Sequence, residues 1–207
     1  MFTGLVQAVG RVAGVRETAT GVRLEVDIGE WGHAAEPGES ISVSGCCLTV
    51  VDTPERTRGR LAFDVVRETL GKTTLGGWRE GQRVNLEHSV RAATLMGGHI
   101  VQGHVDGVGE VVRVKKDGEV RVTVRPRDRG LMEYVTPKGS VCVDGVSLTV
   151  AGVDVERGEF EVALIPETLA RTTLGEVAEG GEVNLEMDVV AKTVVHWVRH
   201  WASGMRH

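Results

Sequence analysis

Gly45-Cys46-Cys47-Leu48-Thr49-Val50 recurs one hundred residues later as Gly145-Val146-Ser147-Leu148-Thr149-Val150. Four further blocks recur in the same order at nearly the same spacing. They are 68–70 with 167–169, 73–76 with 172–175, 84–87 with 183–186 and, more loosely, 4–12 with 103–111. The period is too long for a solenoid unit and is the size of a small domain. We therefore predict two homologous domains, 1–98 and 99–188, followed by a tail, 189–207.

Within each copy, apolar and polar residues alternate in short runs bounded by glycine, as in Val22-Arg23-Leu24-Glu25-Val26-Asp27-Ile28. This period of two is typical of half-buried β-strands. The other candidate strands are 41–43, 47–51, 61–66, 84–88, 108–114, 120–124, 141–143, 148–153, 160–165 and 183–187. Strands at this spacing without intervening helices predict an all-β sandwich or small barrel. Short helices are expected after 68–70 and 167–169.

The composition excludes several classes of function. The 207 residues carry a net charge of −5 with no basic run, which argues against a nucleic-acid partner. No apolar stretch approaches the ~18 residues of a membrane span, and 1–4 lack the positive region of a signal peptide. Three cysteines without a Cys-x-x-Cys pair read as reduced thiols. A cytoplasmic protein is expected.

The tail has a different pattern from the two repeats. Val190, Val194, Trp197, Val198 and Trp201 fall on one stripe at helical spacing, which predicts an amphipathic helix. The stripe either packs on its own domain or makes an oligomer contact, and the two tryptophans favour the oligomer.

Several motifs in order resemble the alpha-type riboflavin synthase family. They are Met1-Phe2-Thr3-Gly4, the block 45–50, Gly97-Gly98-His99-Ile100-Val101-Gln102-Gly103-His104-Val105-Asp106, the block 144–150 and Ile165-Pro166-Glu167-Thr168-Leu169. The resemblance covers nearly the whole chain. It implies two six-stranded antiparallel Greek-key β-barrels plus a C-terminal α-helix.

The resemblance also implies an activity. Each barrel would bind one 6,7-dimethyl-8-ribityllumazine, and one lumazine would donate a four-carbon unit to the other. The products would be riboflavin and 5-amino-6-ribitylaminouracil, in the last step of riboflavin biosynthesis. A homotrimer held partly by the C-terminal helices and a possible association with lumazine synthase are further implications. No metal or organic cofactor is expected.

A reaction between two copies of one compound needs two similar pockets with unlike chemistry, so positions that differ between the repeats are the better catalytic candidates. The internal alignment sets Cys47 against Ser147, Leu5 against His104, Gly38 against Lys138, Ser89 against Asp188 and Asp64 against Ala163. Thr49 and Thr149 are identical and would bind what both substrates share. The predicted catalytic residues are Cys47, His104, Lys138, Ser147, Thr149 and Asp188.

The residue types suggest roles for these candidates, and some alternatives stay open. In a strand, Cys47 and Thr49 share one face and Cys46 the other, so Cys47 suits a pocket wall. The imidazole of His104 suits proton transfer from a substrate methyl group. His99, five residues earlier, would lie on the opposite face of an extended segment, which argues against a shared metal. The nucleophile is Cys47, Ser147 or water, and either barrel would hold the donor.

For Lys138 and Asp188 the resemblance carries most of the weight. Lys138 would stabilise the anion left by deprotonation of the methyl group. Asp188 would orient a neighbour, or would simply cap the tail helix.

By resemblance, further residues contact the substrate through backbone or side-chain groups. In the first repeat these are Phe2, Gly4, Leu5, Val6, Ser40, Cys47, Leu48, Thr49, Asp64, Val65, Val66, Arg67, Glu68 and Thr69. In the second they are Gly103, His104, Val105, Lys138, Ser147, Leu148, Thr149, Leu164, Ile165, Pro166, Glu167 and Thr168.

Two other functions compete with the enzyme. Lumazine-binding antenna proteins share the doubled barrel and bind one fluorophore without turnover, but they lack residues at the catalytic positions that this sequence keeps. A flavin-dependent reductase would need a nicotinamide-binding half, and no Gly-x-Gly-x-x-Gly motif opens a βαβ unit here.

Overall fold

The computed structural model describes residues 1–52 and 59–202, and within them twelve strands form two closed antiparallel barrels. The first barrel comprises β1 Ala8–Glu17, β2 Gly21–Asp27, β3 Ser40–Val43, β4 Cys46–Asp52, β5 Arg60–Val66 and β6 Arg83–His88, in the order β1-β2-β5-β4-β3-β6. The second comprises β7 Gly107–Lys115, β8 Val120–Pro126, β9 Ser140–Val143, β10 Val146–Asp154, β11 Glu159–Leu164 and β12 Glu182–Met187, in the equivalent order. The predicted fold class is confirmed.

Strand β1 was missed by the alternation pattern because glycines interrupt it at positions 10 and 14. The structure gives a reason for Gly10. A Cβ there would stand 2.7 Å from the carbonyl oxygen of Asp27, so only glycine allows β1 to pair closely with β2. The register with β2 also shifts between Val12 and Gly14. A bulge of this kind bends a strand and helps a sheet to close.

Three α-helices and three short 3-10 helices complete the described chain. Helices α1 Arg67–Lys72 and α2 Pro166–Arg171 contain the Glu-Thr-Leu blocks, so each begins before its block rather than after it as predicted. The 3-10 helices span Thr74–Gly77, Arg129–Tyr134 and Thr173–Glu176. Helix α3, Val189–Ala202, confirms the amphipathic helix of the tail, whose last residues, 203–207, lie outside the described part.

The segment that precedes each barrel packs against the core of the other barrel. Val6 precedes the first barrel but packs against the core of the second. Val105 precedes the second barrel but packs against the core of the first. Between these segments, Phe2 and Val101 pair through two backbone hydrogen bonds of 2.7 and 3.1 Å, and both side chains are fully buried. Each domain therefore completes part of the other.

The hairpin turns of β3–β4 and β9–β10 meet at the junction of the barrels. Ser44-Gly45 and Asp144-Gly145 all have positive φ, as a type I′ turn requires. A Cβ on Gly45 would stand 2.8 Å from the backbone nitrogen of Gly145, and the reverse distance is 2.7 Å. The close approach of the two turns thus requires glycine at both positions.

Two asparagines join the barrels through hydrogen bonds across this junction. The Nδ2 of Asn184 donates to the Ser44 carbonyl oxygen (2.9 Å), and its Oδ1 accepts from the backbone N–H of Thr74 (2.8 Å). Asn85 makes the reciprocal pair, donating to the carbonyl of Asp144 and accepting from Thr173, both at 2.8 Å. These four bonds explain why both repeats have an asparagine at this position of the Val-Asn-Leu-Glu block.

Asn184→Ala is expected to lower the free energy of unfolding by about 1–3 kcal/mol, because it leaves the buried Ser44 carbonyl and the half-buried Thr74 N–H without their partners. Urea unfolding measures the loss. Val155→Ala, at a side chain that is 78% exposed, is the control and should change stability by less than about 0.5 kcal/mol. Equal losses in the two variants would show that the hydrogen bonds of Asn184 contribute nothing to stability.

Asp144 should make stability depend on pH. Burial raises the pKa of its carboxyl group to about 7, against one opposing hydrogen bond from the N–H of Asn184. The folded state therefore binds this proton more tightly than the unfolded chain, and stability falls as pH rises from about 4 to about 7. In Asp144→Asn the contribution of this group to the slope, at most about 1.4 kcal/mol per pH unit, should be lost, while buried Glu87 and Glu186 keep theirs. Unfolding curves that differ by a constant amount across this window would refute the assignment.

Polar contacts hold helix α3 to the second barrel and leave its apolar stripe free. The Nζ of Lys192 lies 2.9 and 3.0 Å from the carboxylate oxygens of Asp106, and Arg199 pairs with Glu133. Each side chain of the stripe is 53–59% exposed, namely Val190, Val194, Trp197, Val198 and Trp201. Among residues 1–52 and 59–202, none of the helices combines the length and apolarity that crossing a bilayer demands.

Candidate active site

The Gly103 loop brings His104 to the wall that carries Cys47. Gly103 adopts φ +78°, and its carbonyl oxygen accepts a 2.8 Å hydrogen bond from the backbone N–H of Cys47 on β4. A Cβ on Gly103 would stand 2.6 Å from the Cβ of Cys47, so glycine is needed for this approach. A residue leading into the second barrel thereby completes a cleft of the first.

This first cleft has a volume of about 190 Å³. Its wall joins β4, helix α1 and the Gly103 loop, and the lining residues are Cys46, Cys47, Glu68, Thr69, Lys72, Thr73, Gly103, His104 and Val105. Of the predicted site residues, the structure thus brings together Cys47, His104, Gly103, Val105, Glu68 and Thr69. Lys72 and Thr73 were not predicted.

The Gly4 loop builds the equivalent junction at Ser147. Gly4 has φ +75°, and its carbonyl oxygen accepts from the backbone N–H of Ser147 at 2.8 Å. A Cβ on Gly4 would stand 2.6 Å from the Cβ of Ser147. The same contacts therefore join loop and strand in both halves, with a thiol at the first junction and a hydroxyl at the second.

His99 belongs to this second junction and was not predicted as a site residue. Its Nδ1 lies 2.7 Å from the Oγ of Ser147. Burial lowers the pKa of His99, and the charge of Asp188 opposes this shift only in part. A neutral imidazole beside a hydroxyl is suited to accept its proton. His99 and His104 thus lie at different junctions, beside Ser147 and Cys47 respectively.

Of the three thiols, only Cys47 is placed for chemistry. Burial raises the pKa of Cys46 to about 12 and also raises that of Cys142, so both stay protonated and unreactive. Cys47 is half-buried between two buried neighbours, and Thr49 is exposed on the same side of β4. The predicted parity of this strand is therefore confirmed.

Asp188 and Lys138 do not line the first cleft. The Oδ1 of Asp188 accepts from the N–H of Val190 (2.8 Å), so it does cap α3, while its charge also acts on His99. Lys138 is exposed in a turn with φ +66°, where the first barrel has Gly38 with φ +91°. The N–H of each donates to the equivalent strand carbonyl, at Val150 and Val50 respectively. Within 1–52 and 59–202, no hydrogen bond or ion pair joins the Lys138 side chain to the other candidates.

Several predicted contact residues turn their side chains away from the clefts. Phe2 is fully buried between the barrels, and the side chains of Leu48, Val65, Leu148 and Leu164 lie in the barrel cores. For these five, only backbone groups are available to a ligand.

The remaining predicted contacts lie on or near the surface. Asp64 is held by Arg23 through two hydrogen bonds of 2.6 and 3.1 Å, and Arg67 donates to the carbonyl of Ala19. Val66 and Ile165 are exposed at equivalent positions before α1 and α2. Ser40 pairs with Thr49 on neighbouring strands of the first barrel. In the second barrel, strand β10 contains Thr149, and helix α2 begins with Pro166, Glu167 and Thr168. Leu5 is half-exposed beside Gly97.

Metal ligation finds no support in this part of the chain. Within residues 1–52 and 59–202, no three His, Cys, Asp or Glu side chains come together as a ligand set.

The doubled barrel with its two crosswise loop–strand junctions is the architecture of a lumazine-binding class of protein, and comparison with known families agrees. The lumazine binding domain model matches residues 3–89 and 102–188, so the chain belongs to this family. Riboflavin synthases are its relatives at full length. That of Mycobacterium tuberculosis is 45% identical over 201 residues, which span 96% of this chain and 98% of the relative. That of Schizosaccharomyces pombe is 39% identical over 194 residues, spanning 93% and 91%.

Solved structures share the architecture. The crystal structure of LumP complexed with riboflavin superposes with a TM-score of 0.79 and 25% identity, over 90% of this chain and 99% of LumP. LumP complexed with 6,7-dimethyl-8-(1'-D-ribityl) lumazine gives 0.78 and 23%, with the same coverage.

Proposed function

We propose that the protein is an enzyme that dismutates two molecules of 6,7-dimethyl-8-ribityllumazine into riboflavin and 5-amino-6-ribitylaminouracil, as a riboflavin synthase. The observation that carries the proposal is the crosswise pairing of the repeats. Gly103 meets Cys47 and Gly4 meets Ser147 through equivalent 2.8 Å bonds, which makes two like junctions with unlike reactive groups, and we propose that each borders one substrate-binding cleft. The full-length likeness to riboflavin synthases supports the same activity.

The reaction needs two binding sites and no outside reagent. Four carbons leave one lumazine and join the other, so the atoms of two substrates equal the atoms of the two products. No oxidant or reductant enters. Binding both substrates replaces a bimolecular encounter by a local one, which lowers the barrier by up to ~7–11 kcal/mol.

Each cleft contributes a different proton-transfer group. His104 accepts the proton of a substrate methyl group, leaving a carbanion that attacks the second lumazine. In the other cleft, neutral His99 takes the proton of the Ser147 hydroxyl, or of a water held there, so that this oxygen adds to a substrate ring. Thr49 and Thr149, the same in both repeats, bind the parts that the two substrates share.

The exposed stripe of α3 supports self-association. Five apolar side chains, each more than half exposed, face away from the second barrel, and the rings of Trp197 and Trp201 lie 5.3 Å apart. We expect a homotrimer, held by these helices, that works in the cytoplasm. Association with lumazine synthase remains a further expectation.

The direct test incubates the pure protein with 6,7-dimethyl-8-ribityllumazine in the presence of EDTA and without added cofactor. One riboflavin should appear for every two lumazines consumed. Tight binding of lumazine without any riboflavin would refute the enzyme and support an antenna protein.

A further inference from the structure

Two buried glutamates occupy the same place in the two repeats, as the last residue of Val-Asn-Leu-Glu. Glu87 on β6 is 3% exposed and Glu186 on β12 is 2% exposed. Burial raises the pKa of both carboxyl groups, although backbone hydrogen bonds oppose the shift. Lys192, whose charge reaches Glu186, is hydrogen-bonded to Asp106 instead. A buried carboxylate costs stability unless its oxygens are well bonded, so its partners indicate its role.

The partners of Glu186 are three successive backbone N–H groups of the Gly103 loop. Oε1 accepts from Gln102 at 2.7 Å, and Oε2 accepts from Gly103 at 2.9 Å and from His104 at 3.0 Å. A carboxylate that accepts several N–H groups forms charge-assisted bonds stronger than neutral ones. Glu186 therefore fixes the backbone from which the His104 imidazole extends.

Glu87 holds the Gly4 loop in the same way, with one difference. It accepts from the N–H and the hydroxyl of Thr3, both at 2.7 Å, and from the N–H of Gly4 at 3.0 Å. The N–H of Leu5, equivalent to that of His104, donates to the Thr3 hydroxyl instead (3.2 Å). Only in the second repeat does the carboxylate itself accept a hydrogen bond from the N–H of a catalytic candidate, His104.

Each loop is held by a glutamate of one barrel and is hydrogen-bonded to a strand of the other. Gly103, held by Glu186 of the second barrel, accepts from the N–H of Cys47 in the first. Gly4, held by Glu87 of the first barrel, accepts from the N–H of Ser147 in the second. The two glutamates thus act on separate clefts.

We propose that Glu186 is the positioning residue of the Cys47–His104 cleft and Glu87 that of the Ser147–His99 cleft, each acting through the backbone of its glycine loop. The catalytic consequence rests on the proposed function. The geometric consequence does not, because it concerns only how firmly each loop is held against its strand.

Glu186→Gln with Glu87→Gln as its matched control tests the geometry. Glutamine keeps the size of the side chain but offers one acceptor oxygen and sets an NH₂ group against backbone N–H groups. Freed from its anchor, the Gly103 loop should expose Cys47. Its alkylation by iodoacetamide, assigned to the individual cysteine by fragmentation of the labelled peptide, should accelerate about tenfold or more in Glu186→Gln and less than about twofold in Glu87→Gln. Buried Cys46 and Cys142 serve as internal references.

Equal acceleration in both variants would mean a general structural role, and no acceleration in either would mean that the loop is held by other contacts. Both results overturn the proposal. Turnover gives the second readout: kcat should fall about tenfold or more in Glu186→Gln while KM changes less than about threefold. If the unmodified protein converts no lumazine, the proposed function fails, and the alkylation contrast still decides the role of the glutamates.

Hydrogen exchange in the unmodified protein decides the question if either variant fails to fold. The amides of Gly103 and His104, bound to Glu186, should exchange at least about tenfold more slowly than the amide of Gly97 in the exposed part of the same linker. Comparable rates at these three amides would overturn the proposal.

Discussion

Replacing His104 by leucine is expected to lower kcat about 100-fold or more while the dissociation constant for the lumazine changes less than about threefold. The imidazole lines the first cleft beside Cys47, and the repeat places an apolar Leu5 at the equivalent position of the other half. A group that differs between two sites for the same compound is suited to chemistry rather than to binding. Steady-state kinetics and equilibrium binding on the same preparation measure the two effects.

Two companion variants sharpen this result. His104→Gln keeps hydrogen bonding but cannot take a proton near neutral pH, so it should lose as much activity as the leucine variant. Leu5→Ala truncates the equivalent residue of the other repeat and removes no titratable group, so its kcat should fall less than about tenfold. An equal loss of binding and turnover in His104→Leu would assign the histidine to binding or structure.

Gly103→Ala is expected to cost about 4 kcal/mol or more of folding stability and to abolish turnover. The added Cβ would stand 2.6 Å from the Cβ of Cys47, 2.9 Å from the Phe2 ring and 3.0 Å from the Cys47 backbone nitrogen. None of these atoms is the end of a flexible side chain. The loop must therefore move away from β4, which separates His104 from Cys47.

Gly118→Ala is the matched control for this collision. Its φ of +79° is almost that of Gly103, +78°, but no atom lies within 4 Å of the added Cβ. The backbone strain of the two substitutions is therefore alike, and Gly118→Ala should cost only about 1 kcal/mol. Urea unfolding and lumazine turnover measure both variants. Equal losses would show that the close approach to Cys47 has no importance.

Most strands could be predicted from the sequence because the alternation of apolar and polar residues that marks a strand is a local pattern. Alternation marked strands β2 to β12, and the repeated blocks marked two like domains. Strand β1 escaped because Gly10, required by the close pairing with β2, breaks the apolar pattern. The loops around Gly4 and Gly103 left no such signal, since their contacts with the opposite barrel join residues 143 positions apart (Gly4 and Ser147) and 56 positions apart (Gly103 and Cys47).

Part of the site was hidden for the same reason. His99 and His104 were expected on opposite faces of one extended segment, but the positive φ of Gly103 turns the chain between them, and each meets a different strand. A sequence gives no sign that His99 ends beside Ser147. Glu186, in an alternating strand, resembles any outward-facing charge. Its burial becomes visible only when the loop that satisfies its oxygens is in place.

The number of ligands bound by one chain tests the account most directly, because twin clefts are its central claim. Calorimetric titration with a lumazine analogue that does not react should give two molecules bound per chain. Ser147→Trp, which places a bulky ring at the proposed second cleft, should reduce this number to one while the first cleft still binds. A stoichiometry of one in the unmodified protein, unchanged by Ser147→Trp, would contradict the account.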